Sequence, residues 1–144
     1  MNTTNSSLAE SLTEAHRALF HDLTGLERLI CPGPNVALTE LRNRLGRTYT
    51  HLCEHFRLEE KNGYLDNLAE DQPRFHALVE QLGEEHRALR QALDLIHADT
   101  IVASSVDDAL LQRIREWIGR VRQHEARENE LVQDAADSDV DTQD

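Results

Sequence analysis

One run of residues constrains the fold more than any other. Positions Leu38, Leu41, Leu45, Thr48, Leu52, His55 and Glu59 are spaced alternately by three and four. That rhythm keeps them on one stripe of an α-helix, the seam buried in a helical bundle. The seam ends in His55 and Glu59, one helical turn apart on the buried face. A charge on such a stripe is costly unless a partner compensates it, and a metal ion is a natural partner for an imidazole and a carboxylate together.

Three further helices carry the same rhythm. The first is expected from about Ser7 to Ile30, capped by Ser6 or Ser7 with Glu10 in its first turn, and its seam is Leu12, His16, Leu19, Leu23, Leu26 and Ile30. Cys31-Pro32-Gly33-Pro34 breaks it. The second helix runs from Asn35 or Val36 to Asn62, with Gly63 at its C-terminal stop and a short extra turn over Tyr64 to Glu70. Asp71 and Pro73 start the third, expected to His97, with Phe75, Val79, Leu82, His86, Leu89, Leu93 and Ile96 on its seam. After a connection over 98–104, Ser105 and Asp108 resemble a capping box for the fourth helix, Val106 to Ala135, whose seam is Leu110, Ile114, Trp117, Val121, His124, Glu128 and Leu131. With no period-two run, the class is all-α, an antiparallel up-down-up-down four-helix bundle. The bundle domain spans 7–135, and 136–144 form an acidic tail without periodicity, expected to be disordered.

Charge narrows the function. The chain of 144 residues carries a net charge of −12, and Lys61 is its one lysine. That argues against nucleic acid or anionic membrane as partner and leaves a small ligand, a cation or a protein. No apolar run approaches the ~20 residues of a membrane span, and Met1 to Ser7 lacks the basic and apolar regions of a secretory signal. A cytoplasmic location is expected, with Cys31 and Cys53 as free thiols.

Each helix places one of the eight histidines on its seam: His16, His55, His86 and His124. If seam positions are roughly two in seven, chance alone would put about two there, so the histidines by themselves are a mild excess. The seam glutamates Glu59 and Glu128 weigh more, because buried glutamate is rare unless paired. In an antiparallel bundle His16, His55–Glu59 and His124–Glu128 fall at one end. His86 lies 13 residues after Pro73, about 20 Å along the helix, so the start of the third helix must overhang to bring it level. Four imidazoles and two carboxylates inside a bundle suit two transition-metal ions. Non-haem iron is the first choice, with manganese and zinc as alternatives. If both glutamates bridge and an oxo or hydroxo group is shared, one exchangeable position is left on each octahedral ion.

These motifs resemble the hemerythrin-like, or HHE cation-binding, family over residues 8 to about 132. The family pattern of His, HxxxE, His, and His followed by a carboxylate reads here as His16, His55–Glu59, His86 and His124–Glu128. Ferritin-like bundles use Glu-x-x-His pairs and more carboxylates than imidazoles, the reverse of this chain. Oxygen-carrying members have an HxxxH pair on the third helix, but Leu82 and Arg90 flank His86 at that spacing, and the fourth-helix carboxylate follows its His by four residues, not five. The resemblance is thus to four-His, two-Glu members, which implies sensing or handling of O2, nitric oxide or iron, by a binding protein or sensor before an enzyme, and ligand exchange before oxygen carriage.

The competing reading is a metal-free or zinc-stabilised bundle that acts through protein contacts. His51, one turn before His55, is the one candidate for a replacement fifth ligand, though half-exposure is the stronger expectation. His21, His76 and His97 fall off the seam and read as surface. Glu54, Glu60 and Glu125 adjoin the candidate ligands and read as a solvated face, with hydrogen bonding to imidazole N–H groups as the alternative. Trp117 reads as core and Arg113 to Arg127 as a solvated, Glu-interleaved helix face.

Overall fold

The computed structural model describes residues 3–61, 66–67, 70 and 72–142, and the side chains of 3–9, 12, 61, 136 and 138–142 lie outside that description. Four long helices make up the fold: α1 (Thr3–Ile30), α2 (Leu38–Lys61), α3 (His76–Val102) and α4 (Asp108–Thr142), with a 3-10 turn over Pro73–Phe75 leading into α3. No strand occurs among the described residues. Each helix packs on the next and α4 returns to α1, which closes the antiparallel up-down-up-down ring. None of the described helices is long and apolar enough to cross a membrane.

The helix ends depart from expectation in physically simple ways. α1 begins at Thr3, ahead of the cap expected at Ser6 or Ser7. Propagating an existing helix adds one hydrogen bond per residue fixed, and nothing in this polar segment forbids it. The turn after α1 closes through Gly33, whose N–H donates to the Ile30 carbonyl at 3.1 Å and whose φ of 103° is a conformation glycine adopts freely. α3 continues five residues past His97, because Arg42 reaches across from α2 to its terminal carbonyls, with Nε 2.6 Å from Thr100 O and Nη2 3.1 Å from Ala103 O. The cap of α4 is Asp107, which accepts the Leu110 N–H at 2.8 Å, so the Ser105–Asp108 box does not form. α4 passes Ala135 and ends at Thr142, since no glycine or proline after Gly119 interrupts it. Leu12, Gly63, Tyr64 and Asp71 fall outside the described side chains or residues, and 66, 67 and 70, within the expected extra turn, are helical.

The described seam residues are buried as expected except His16 and Leu38, which are half-buried, and they divide into layers. The larger apolar cluster runs from Leu19 to Ile30 on α1 and includes Leu41, Leu45, Leu52 and Phe56 of α2, Leu89 to Ile96 of α3 and Leu110 to Val121 of α4. Trp117 sits in it, fully buried, its indole N–H donating to the Leu89 carbonyl at 3.0 Å. A smaller cluster joins Phe75, Val79 and Leu82 to Leu131 and Ala135. It is the overhang that the depth of His86 required: the start of α3 packs on the end of α4 beyond His86. Between the two clusters lies one polar layer, in which His55, Glu59, His86, His124, Glu125 and Glu128 are all buried.

Candidate metal centre

The layer is built one helix at a time. α1 supplies His16, α2 His55 and Glu59, α3 His86, and α4 His124 and Glu128, each held in depth by the leucine-rich turns beside it on its own seam. All six expected residues meet. His55 Nε2 lies 3.1 Å from Glu59 Oε1, and His86 Nε2 lies 2.8 Å from Glu128 Oε1 and 4.0 Å from Glu59 Oε1. His124 Nε2 touches the same Glu128 oxygen. Phe56 stacks on the His86 ring, with centroids 3.9 Å apart and planes 9° from parallel, and meets His124 edge-on.

The donor atoms fall into two groups joined by a third. His16, His55 and Glu125 form one, and His86, His124 and Glu128 the other. His55, Glu59, Glu125 and Glu128 link them, with the atoms of each group within 4.8 Å of one another. Glu125 was expected on a solvated face and is instead 1% exposed. Its carboxylate lies 3.2 Å from His16 Nδ1 and 3.1 Å from His55 Nε2. A second stripe on α4 carries the signal for it: Leu111, Ile114, Ile118, Val121, Glu125 and Glu128 repeat the alternating spacing one step round the helix. α4 therefore buries a face wider than one seam.

Outer partners hold two of the imidazoles. Glu60 accepts a hydrogen bond from His86 Nδ1 at 3.0 Å and lies 3.5 Å from Arg90. Glu85 accepts from His124 Nδ1 at 2.7 Å and is paired with Arg127 at 2.8 Å. Glu60 and Arg127 thus leave the purely solvated role expected of them, and Glu85 is a partner that the seam pattern does not mark. His51 stays half-exposed as expected: its Nδ1 meets the buried Asp22 and it belongs to none of the donor groups. His21 and His76 are exposed, and His97 is half-buried, 3.5 Å from where a Cβ on Gly46 would sit. Cys31 and Cys53 are free thiols.

The charges in the layer compete for too few protons. Burial, with the neighbouring Glu128, Glu125 and Glu60 carboxylates, pushes Glu59 up to about 12. Burial acts on Glu128 and Glu125 in the same direction, but imidazole hydrogen bonds outweigh it. His124 and His86 pull Glu128 well below the usual carboxylate range, and His16 and His55 lower Glu125. His16 is raised by its bond to Glu125, and His124 by Glu128 and Glu85 against the opposing effect of burial. Glu59 therefore keeps a proton at neutral pH and shares it with Glu128.

Two buried atoms test whether a cation fits. Glu59 Oε1 and His124 Nε2 have close neighbours but no aligned hydrogen bond. Each faces other donors of the layer: Glu59 Oε1 lies 3.1 Å from His55 Nε2, and the donor atoms of His86, His124 and Glu128 lie within 4.8 Å of one another, close enough for one ion to reach. A pocket of about 240 Å3 opens on the His16 side, lined by His16, His55, Glu59, Glu125 and Glu128 together with Thr13, Asn129 and Val132.

Over residues 7–136 the chain matches the family model described as hemerythrin HHE cation binding domain. No curated protein and no solved structure gives a match.

Proposed function

Since the chain belongs to the hemerythrin HHE cation-binding domain family, we propose that it is a non-haem di-iron binding protein that senses or handles a small ligand, O2 or nitric oxide, or iron itself. His16 and His55 would hold one ion and His86 and His124 the other, with Glu59 and Glu128 supplying carboxylate oxygens between them. The observation that carries this reading is the meeting of imidazole and carboxylate donors from all four helices, buried but for His16, in groups whose atoms lie within 4.8 Å of one another.

Bound iron supplies a redox-active centre able to take up diatomic ligands. The chain does the rest. Glu60 and Glu85 fix the ring orientation of His86 and His124 by accepting their outer N–H protons. Phe56 packs against both of these rings. Beyond the donors, the pocket wall consists of Thr13, Asn129 and Val132, a lining that selects by size and supports binding or sensing over turnover of a shaped substrate. Manganese or zinc suits the same nitrogen and oxygen donors, so metal identity is part of the test.

Anaerobic loading with ferrous iron followed by metal analysis decides the matter. Two irons per chain and an oxo-bridge absorption after exposure to air are expected. Fewer than about one iron per chain, with no such band, overturns the reading. Replacing His55 and Glu59 together by leucine should abolish iron uptake and preserve the helical fold, because apolar residues relieve the buried polarity.

A further inference from the structure

We propose that Glu125 is a third terminal ligand on the His16–His55 half of the centre, so that the two ions differ and exogenous ligands bind at the His86–His124 ion alone. The inference rests on the di-iron reading above. Its ground is which imidazole nitrogen each carboxylate faces. Glu60 and Glu85 meet Nδ1 of His86 and His124, the nitrogens turned away from the layer, and are outer partners. Glu125 instead meets His55 Nε2, the same nitrogen that faces Glu59 at 3.1 Å. It therefore stands on the metal side of the ring.

Three further observations agree. Glu125 is 1% exposed, so its charge needs a buried counterpart. Both its oxygens lie within 3.3 Å of His55 Nε2, and one also lies 3.2 Å from His16 Nδ1, which places the carboxylate across the two imidazoles. Its donor oxygen also falls within 4.8 Å of those of Glu59 and Glu128, so one ion could touch all three carboxylates. His16 is the least buried of the four imidazoles, at 35% exposure, and Glu125 fills the pocket-facing side where the six-residue set alone would leave a position open. With two imidazoles, three carboxylates and one shared solvent group, that ion has a full octahedral set. The other, with His86, His124 and the two bridges, keeps one free position.

Azide is the probe for free positions. Full-length protein is loaded with ferrous iron, oxidised in air and titrated with azide, with binding followed by its charge-transfer absorption and iron counted in the same sample. One azide per two irons is expected for the wild type. Two azides per two irons overturn the proposal while leaving the di-iron reading intact, whereas a wild type that holds no iron removes the di-iron reading itself. In Glu125→Ala a second azide should bind, and acetate added first should compete for that second position only. In Glu60→Gln the stoichiometry should remain one, with iron affinity lowered by about tenfold or more. If Glu125→Ala carries two irons and still takes one azide, Glu125 is an outer partner and the proposal fails. If that variant does not fold, the wild-type stoichiometry and the Glu125→Gln variant decide in the same way.

Discussion

At Glu59 the bundle holds a carboxyl that its surroundings keep protonated, and this has a measurable consequence for the metal-free protein. Its folded value of about 12 lies far above the 4.5 of the free group. The stability it contributes is thus fully present below about pH 4.5 and is lost as pH rises toward 12, because the unfolded chain ionises first. From this group alone each pH unit in that interval costs about 1.4 kcal/mol. Glu59→Gln removes the dependence and keeps the shape. Urea titrations of the metal-free proteins should therefore show the variant gaining on the wild type by about 3 kcal/mol between pH 6 and pH 8, while iron uptake is lost. A constant difference across that range would contradict the assignment. Glu125 and Glu128 act in the opposite sense. Their lowered values contribute stability above the ordinary carboxylate range that is lost as pH falls through the folded values.

Among the helices, what each element buries was legible in the sequence and where each stops was less so. Every described seam residue of α3 and α4 that the spacing picks out is buried, from Phe75 to Ile96 and from Leu110 to Leu131. Periodicity is a property of many residues at once, so it survives local exceptions. Helix ends depend on single contacts. The extension of α3 rests on Arg42, a residue of another helix that caps it over a separation of 58 positions, and no local pattern near His97 announces it. Arg42→Ala should lower stability by about 1–3 kcal/mol, since several carbonyls at the end of α3 lose a charged donor. Hydrogen exchange should speed up first over 97–102. Unchanged protection there would show that Arg42 follows the helix end instead of fixing it. Asp107, which caps α4 from within the adjacent turn, is the local counterpart of this device.

For the molecule as a whole, folding and metal binding are linked through the protons of the polar layer. An ion must displace the proton on Glu59 and find His16 and His124 neutral, and both of these imidazoles are raised. Metal affinity should therefore rise with pH between about 6 and 8 and binding should release protons, as calorimetry in buffers of different ionisation heat would record. Ligation of the folded state alone stabilises it by about 2.7 kcal/mol at a hundredfold excess over Kd, so the thermal midpoint of the iron form should exceed that of the metal-free form by more at pH 8 than at pH 6. An iron-induced shift independent of pH would contradict this linkage.

The sequence alone determined the helical class, the four seams and the six residues His16, His55, Glu59, His86, His124 and Glu128 that share one layer, because spacing along a helix dictates which face a residue occupies. Only the tertiary structure decided that Glu125 joins them, that Glu60 and Glu85 sit behind His86 and His124, and that Asp22 holds His51 away from the layer. Those relations run between helices. They depend on rotation and depth of one helix against another, and the packing of Phe75, Val79 and Leu82 on Leu131 and Ala135 fixes both at this end of the bundle.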